Sequence, residues 1–262
     1  MGHRDIAQVI AELRSTADAS GGLMVLDPGV DDDTMDSWPV RVPEDIRTLL
    51  RAIGGVRITD SCSTKNGHRS YDEFDFGARF NHLDEVANWY VARAGGRGTH
   101  WFVREGFDGS FIYVDVDPDS GAWGPVFIFW DSSDTVRLAE SLPDLLMELA
   151  GDVLVALTES GGDAGEFADV YAGRAGIRHD HEYDMEPVAA AALRSGADAA
   201  LAALAAGLPN DAMVADLRGV AGKARVDVDP LGSYFEFRRA ALGRVLMGVP
   251  WDARTIRTLE GE

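Results

Sequence analysis

The stretch FDGSFIYVDVDPDSGAWGPVFIFWDSSDTVRLAESLPDLLMELA, residues Phe107 to Ala150, decides the fold. Ser110 to Val116 sets aromatic and β-branched residues on a pleat, which predicts a strand. Pro118-Asp119-Ser120-Gly121 supplies turn chemistry. Val126 to Trp130 is a second apolar run of strand length. A helix comes next, with Ser141 as N-cap, Asp144 in its third position, and Leu142, Leu145, Leu146, Leu149 and Val153 on one face.

Working outward, Ile6, Val9, Ile10 and Leu13 recur at helical spacing, and the helix they predict ends near Ser20-Gly21-Gly22. Leu23 to Leu26 reads as a short strand, and the acidic loop Asp31-Asp32-Asp33-Thr34-Met35-Asp36 comes after it. Pro43 and Glu44 open a second helix bearing Ile46, Leu49, Leu50 and Ile53, and Gly54-Gly55 stops it. Phe74-Asp75-Phe76 alternates like a strand. Asn81 caps a predicted helix carrying Leu83, Val86, Trp89 and Tyr90, and Trp101 to Val103 is a further strand.

Past Glu159 the composition shifts to small residues. We read residues 1–158 as an α+β domain, 159–186 as an acidic, glycine-rich linker, and 187–262 as a small α-helical region. The predicted helices there are Val188 to Leu193, Asp198 to Ala206, Asp211 to Val220 and Tyr234 to Met247. The fold class is α+β, with a mixed, mainly antiparallel sheet flanked by helices.

The formal charge is −20, from 44 acidic against 24 basic residues. Such a charge argues against direct contact with a nucleic-acid backbone, and it is compatible with good solubility, with a basic partner, with a salt-adapted cytoplasm, or with an acidic surface that has no special partner. The single cysteine, Cys62, excludes an intramolecular disulfide framework. Charges interrupt the apolar pattern of the first residues, and no run of about 18 apolar residues occurs, so neither a signal peptide nor a membrane span is expected. A cytoplasmic location is the resulting expectation.

Groups that can carry chemistry are sparse. His179-Asp180-His181-Glu182, with Asp184 and Glu186, has metal-ligand types without a further ligand at defined spacing, and it reads as a solvated acidic linker. Asp31 to Asp36 lacks the central glycine and closing glutamate of a calcium loop. Cys62 with His68 or His82 carries no thiol-enzyme signature. Asp115, Asp117 and Asp119 form a period-two row, able in principle to pair as acid and base. The row also keeps a strand end and turn in water, and we favour that reading. Trp123 beside Gly124-Pro125 is the best candidate for an exposed anchor. We therefore expect no enzyme, no metal and no cofactor.

The order of features resembles the SUKH superfamily, the Smi/Knr type of domain, over roughly residues 5 to 155. Trp38-Pro39-Val40-Arg41-Val42-Pro43 leads into the Ile46–Ile53 helix and Gly54-Gly55-Val56. Ile112-Tyr113-Val114-Asp115-Val116-Asp117-Pro118, with Gly121, Gly124 and Val126, fits the strand pair of that family, and Ser141 to Leu149 its leucine-rich helix. The resemblance implies a mixed sheet with flanking helices and no enzymatic activity. It also implies a protein partner, since many bacterial members look like immunity proteins that neutralise a nuclease or other toxin. In that mechanism Asp31, Asp32, Asp33 and Asp36, together with Asp115, Asp117 and Asp119, mimic phosphates on a basic toxin, and Trp123 anchors. A regulatory or scaffold protein with several endogenous partners is the alternative, and an uncharacterised enzyme the third reading.

Overall fold

The computed structural model describes residues 4–38, 40–60, 70–77, 100–105, 110–117, 120–130, 134–178, 180–227, 235–240 and 242–250. The expected helix after Asn81, and Cys62, His68, His82, Pro118, Asp119 and His179, lie outside them.

Three strands of the Phe107–Ala150 region form a meander with the strand that precedes them. Strands β4 (His100–Glu105), β5 (Ser110–Val116), β6 (Trp123–Trp130) and β7 (Asp134–Ala139) pair antiparallel in chain order. The β5–β6 turn needs the glycine read from the sequence. Gly121 sits at φ 69, and a Cβ there would come 2.9 Å from the Arg41 Cβ. Helix α4 (Leu142–Ser160), the fourth among the described residues, then packs on the sheet. Ser141 caps it as expected, its Oγ accepting from the Asp144 N–H and donating to the Asp144 carboxylate. Leu142, Leu145, Leu146, Leu149 and Val153 are all buried.

Ahead of the meander come α1 (Ile6–Ala19), β1 (Met24–Asp27), α2 (Asp32–Asp36), α3 (Glu44–Ala52), β2 (Gly55–Asp60) and β3 (Ser70–Asp75). The three strands form an antiparallel sheet in the order β1-β2-β3. The expected acidic loop is in fact the one-turn helix α2, because Asp31 accepts from the Thr34 N–H and so starts it. Helix α3 buries Ile46, Leu49 and Leu50, with Ile53 at its end, as the apolar spacing predicts.

The second half departs from expectation. Residues read as a linker contain α5 (Ala164–Arg178) and β8 (Tyr183–Met185), and Val188–Leu193 divides into β9 (Val188–Ala189) and α6 (Ala190–Leu193). The helix α7 (Ala199–Ala206), capped by Asp198, is foreseen in full, and α6 keeps the second part of the expected Val188–Leu193 helix. Two expected helices are strands. The segment Asp211–Val220 holds β10 (Met213–Asp216), and Tyr234–Met247 holds β12 (Phe235–Ala240) and the start of β13 (Val245–Pro250). Between β10 and β12 lies β11 (Ala224–Asp227). Pairing outside the segment decides these residues, whose alanine and leucine content alone favours helix.

β11 pairs antiparallel with β7, and β8 adds to β11 in parallel, giving the six-stranded order β4-β5-β6-β7-β11-β8. A four-stranded antiparallel sheet runs β12-β13-β10-β9. The main core gathers residues from both halves, including Leu217, Ala224, Val226 and Leu246. A smaller core of Ala190, Ala205, Val214, Met247 and their neighbours is confined to the second half. The fold is α+β, with mixed and mainly antiparallel sheets. No helix among the described residues is long and apolar enough to cross a membrane.

Candidate partner-binding surface

The first acidic group is largely engaged within the protein. Asp31 spends its carboxylate on the Thr34 N–H and hydroxyl, which hold it below the usual carboxylate range. Asp32 lies 2.9 Å from the Arg51 guanidinium and 3.0 Å from that of Arg47, and the Arg51 bond foremost lowers its pKa. Asp36 pairs with Arg47, and Glu44 with Arg51 at 2.7 Å. The hydrogen bond to Asp36 is the main cause that raises Arg47. These contacts tie α2 to α3. Of the four aspartates, Asp33 is exposed and makes no ion pair among the described residues.

The second group does not form the expected row. Asp115 is only 3% exposed. A Cβ on Gly243, in the turn between β12 and β13, would lie 3.2 Å from its Oδ2, so the second half covers it. The strand ends at Val116, and Asp117 belongs to the turn, where its carboxylate accepts from the Ser120 N–H at 2.9 Å. Period-two geometry stops with the strand, so Asp115 and Asp117 share no solvent face. Asp115, expected at a contact surface, is buried. Asp119 lies outside the described residues.

Trp123 is half-buried rather than a free anchor. Its ring centroid is 4.8 Å from that of the fully buried Trp101, and its indole N–H donates to the Arg41 carbonyl at 3.2 Å. Trp101 in turn contacts Trp38 and Phe76. This aromatic stack fixes Trp123 on the wall of a cleft of about 570 Å³.

The first turns of three helices open on that cleft. Arg4 and Ile6 lie at the start of α1, Pro43, Asp45 and Ile46 at the start of α3, and Ser141, Pro143 and Asp144 at the start of α4. Pro125 and Glu140 continue the wall on the sheet side, and Leu242 and Arg244 close it from the β12–β13 turn. Arg4 pairs with Asp144, while Glu140 lies 3.4 Å from Arg137 and 3.8 Å from Arg244. Asp45 is exposed and has no ion pair among the described residues. An apolar lining edged with charges of both signs suits recognition of a side chain or an extended segment.

Sequence reasoning finds Trp123 and misses the rest of the cleft. Pro43, Ser141 and Asp144 carry a legible signal as helix starts, but nothing local shows that three starts converge. Leu242 and Arg244 sit in a hairpin whose own residues point to helix. Among the described residues no group of three or more His, Cys, Asp and Glu side chains is placed to hold a metal ion.

Residues 33–148 match the family model described as SMI1 / KNR4 family (SUKH-1). No curated protein and no solved structure matches the chain at a significant level. The matched segment runs from α2 through the meander into α4, and it contains Asp45, Trp123, Glu140 and Asp144 of the cleft but not Arg4, Leu242 or Arg244. From α2 to the second turn of α4, over residues 33–148, the chain is a SUKH-type domain of the SMI1 / KNR4 family.

Proposed function

We propose that the protein is a non-enzymatic binding protein that neutralises a toxin, an immunity protein of a polymorphic toxin system acting in the cytoplasm. The SUKH-type domain over residues 33–148 carries this reading. The charge of −20 selects the kind of partner. A toxin that handles nucleic acid must present a basic surface, and an acidic inhibitor is steered to such a surface at a high association rate. The solvated carboxylates that serve this steering are those on the surface, such as Asp33 and Asp45. Asp115, being buried, is left out of this proposal.

The test is rescue. The neighbouring reading frame is sequenced, and where it encodes a large secreted protein with a basic C-terminal domain, the chain is co-expressed with that domain and growth is scored. Restored growth is expected, together with a complex whose affinity falls as salt rises from 50 to 500 mM or so. Absence of both rescue and complex would remove the neutralising role. Weak binding to several endogenous proteins would instead favour a regulatory or scaffold role.

A further inference from the structure

The charge pattern of the cleft distinguishes between possible occupants. Three helix N-termini, of α1, α3 and α4, open on it, and bare N-termini favour an anion. Here each helix start carries its own carboxylate, at the cap or in the first turn. Asp5 caps α1 through the Ala7 N–H at 2.9 Å, Glu44 and Asp45 lie in the first turn of α3, and Asp144 in that of α4. The dipoles are therefore offset from within. Arg4 is engaged by Asp144, and Arg244 lies near Glu140. Asp45 stands at the rim with no ion pair among the described residues, and Trp123 lines the wall with its N–H already bonded to Arg41. A guanidinium or ammonium group stacks favourably on an indole, more so with a carboxylate beside it.

The far wall adds a second observation. Leu242 holds φ 53, a left-handed conformation that costs a leucine, and Gly243 is next at φ 75. The turn sets Leu242 against Gly124, where an added Cβ would lie 3.1 Å from the leucine Cβ. Neither residue of this wall belongs to the segment that matches the family. We propose that the cleft is the partner-docking site and takes an arginine or lysine side chain from an extended segment of a basic protein, with the β12–β13 turn setting which segment enters. The proposal rests on the binding-protein reading above.

Two probe peptides test it on the full chain, acetyl-Gly-Arg-Gly-Arg-Gly-amide and the same peptide with glutamate for arginine, followed by the NMR signal of the Trp123 indole N–H. The arginine peptide is expected to shift that signal saturably, with a Kd of about 1 mM, and the glutamate peptide to leave it unmoved. Asp45→Lys weakens the arginine peptide at least about tenfold. Leu242→Gly weakens it severalfold without lowering Tm, because glycine accepts the left-handed φ freely. No shift, an equal response to glutamate, or indifference to Asp45→Lys overturns the inference. Failure of the underlying reading looks different. If the chain neutralises the toxin and both variants neutralise equally well, the partner docks elsewhere and only this inference falls.

Discussion

At the scale of single residues, the most consequential contact outside the cleft is a buried polar trio. Asp72 on β3 is 6% exposed. One of its oxygens accepts from Arg104 on β4 and the other from the Tyr171 hydroxyl on α5 at 2.8 Å. The trio joins the three-stranded sheet, the six-stranded sheet and a helix of the second half. A buried carboxylate is tolerable only while it is hydrogen-bonded and paired. Tyr171→Phe keeps the ring, which is 1% exposed, and removes one donor to a charged acceptor. We expect it to cost about 2 kcal/mol in urea unfolding at neutral pH. A loss below about 0.5 kcal/mol would show that other groups satisfy the Asp72 oxygen. Nothing in the sequence signals this trio. Asp72 and Tyr171 are 99 positions apart, and a lone aspartate in an alternating strand reads as a solvent-facing residue.

Elements are legible wherever their own residues settle the conformation. Strands β4, β5 and β6 and helices α3 and α4 are dictated by period, caps and turn residues and stand where they are expected, whereas β7 falls where the sequence reads as a loop. The hairpin β12–β13 is not legible, for a specific reason. Its turn uses Leu242 where asparagine, aspartate or glycine ordinarily marks two successive left-handed residues, so the usual hairpin signal is missing. The start of α7 shows a second kind of dependence. Asp198 caps the helix and also meets Arg218 at 2.6 Å, which in turn pairs with Asp216 at the end of β10 at 2.8 Å. The Arg218 bond is the main cause that holds Asp216 below its ordinary value of 3.8. For Asp198 the Leu201 N–H comes first and Arg218 second. A carboxylate lowered on folding stabilises above its unfolded pKa, and the contribution disappears as pH falls through the folded one. Arg218→Ala should therefore destabilise the protein at pH 7, with the gap to the parent narrowing below about pH 4. Tm measured from pH 7 to pH 2.5 or so for both proteins checks this. A gap that stays constant with pH would assign the loss to packing rather than to the carboxylates.

At the scale of the whole molecule, the question is whether the family domain, matched over residues 33–148, can stand without the C-terminal half of the chain. The sequence suggests a boundary near residue 158, because small residues accumulate there and local signals change character. The register shows why local signals mislead on this point. β7 is flanked by β6 on one side and β11 on the other, with Ala224 opposite Arg137 and Val226 opposite Thr135. Arg137 is 1% exposed, and its guanidinium donates to the Val220 and Gly222 carbonyls at 2.7 and 2.8 Å. Burial pushes its pKa down, with Glu140 opposing that effect. A fragment of residues 1–158 would leave one long edge of β7 unpaired, lose the Tyr171 hydroxyl from Asp72, and strip Arg137 of both carbonyls. The fragment also loses the apolar burial that Leu217, Ala224, Val226 and Leu246 add to the main core, which together with these bonds is a large share of a typical domain's stability. An unpaired edge of this length also invites association between copies. The expected outcome is that residues 1–158 give no cooperative thermal transition and elute as aggregates, whereas the full chain unfolds in one main transition. A soluble fragment with a sharp transition would establish the boundary at 158, and would mean that the β7–β11 pairing is an attachment between two independent units rather than a part of one core.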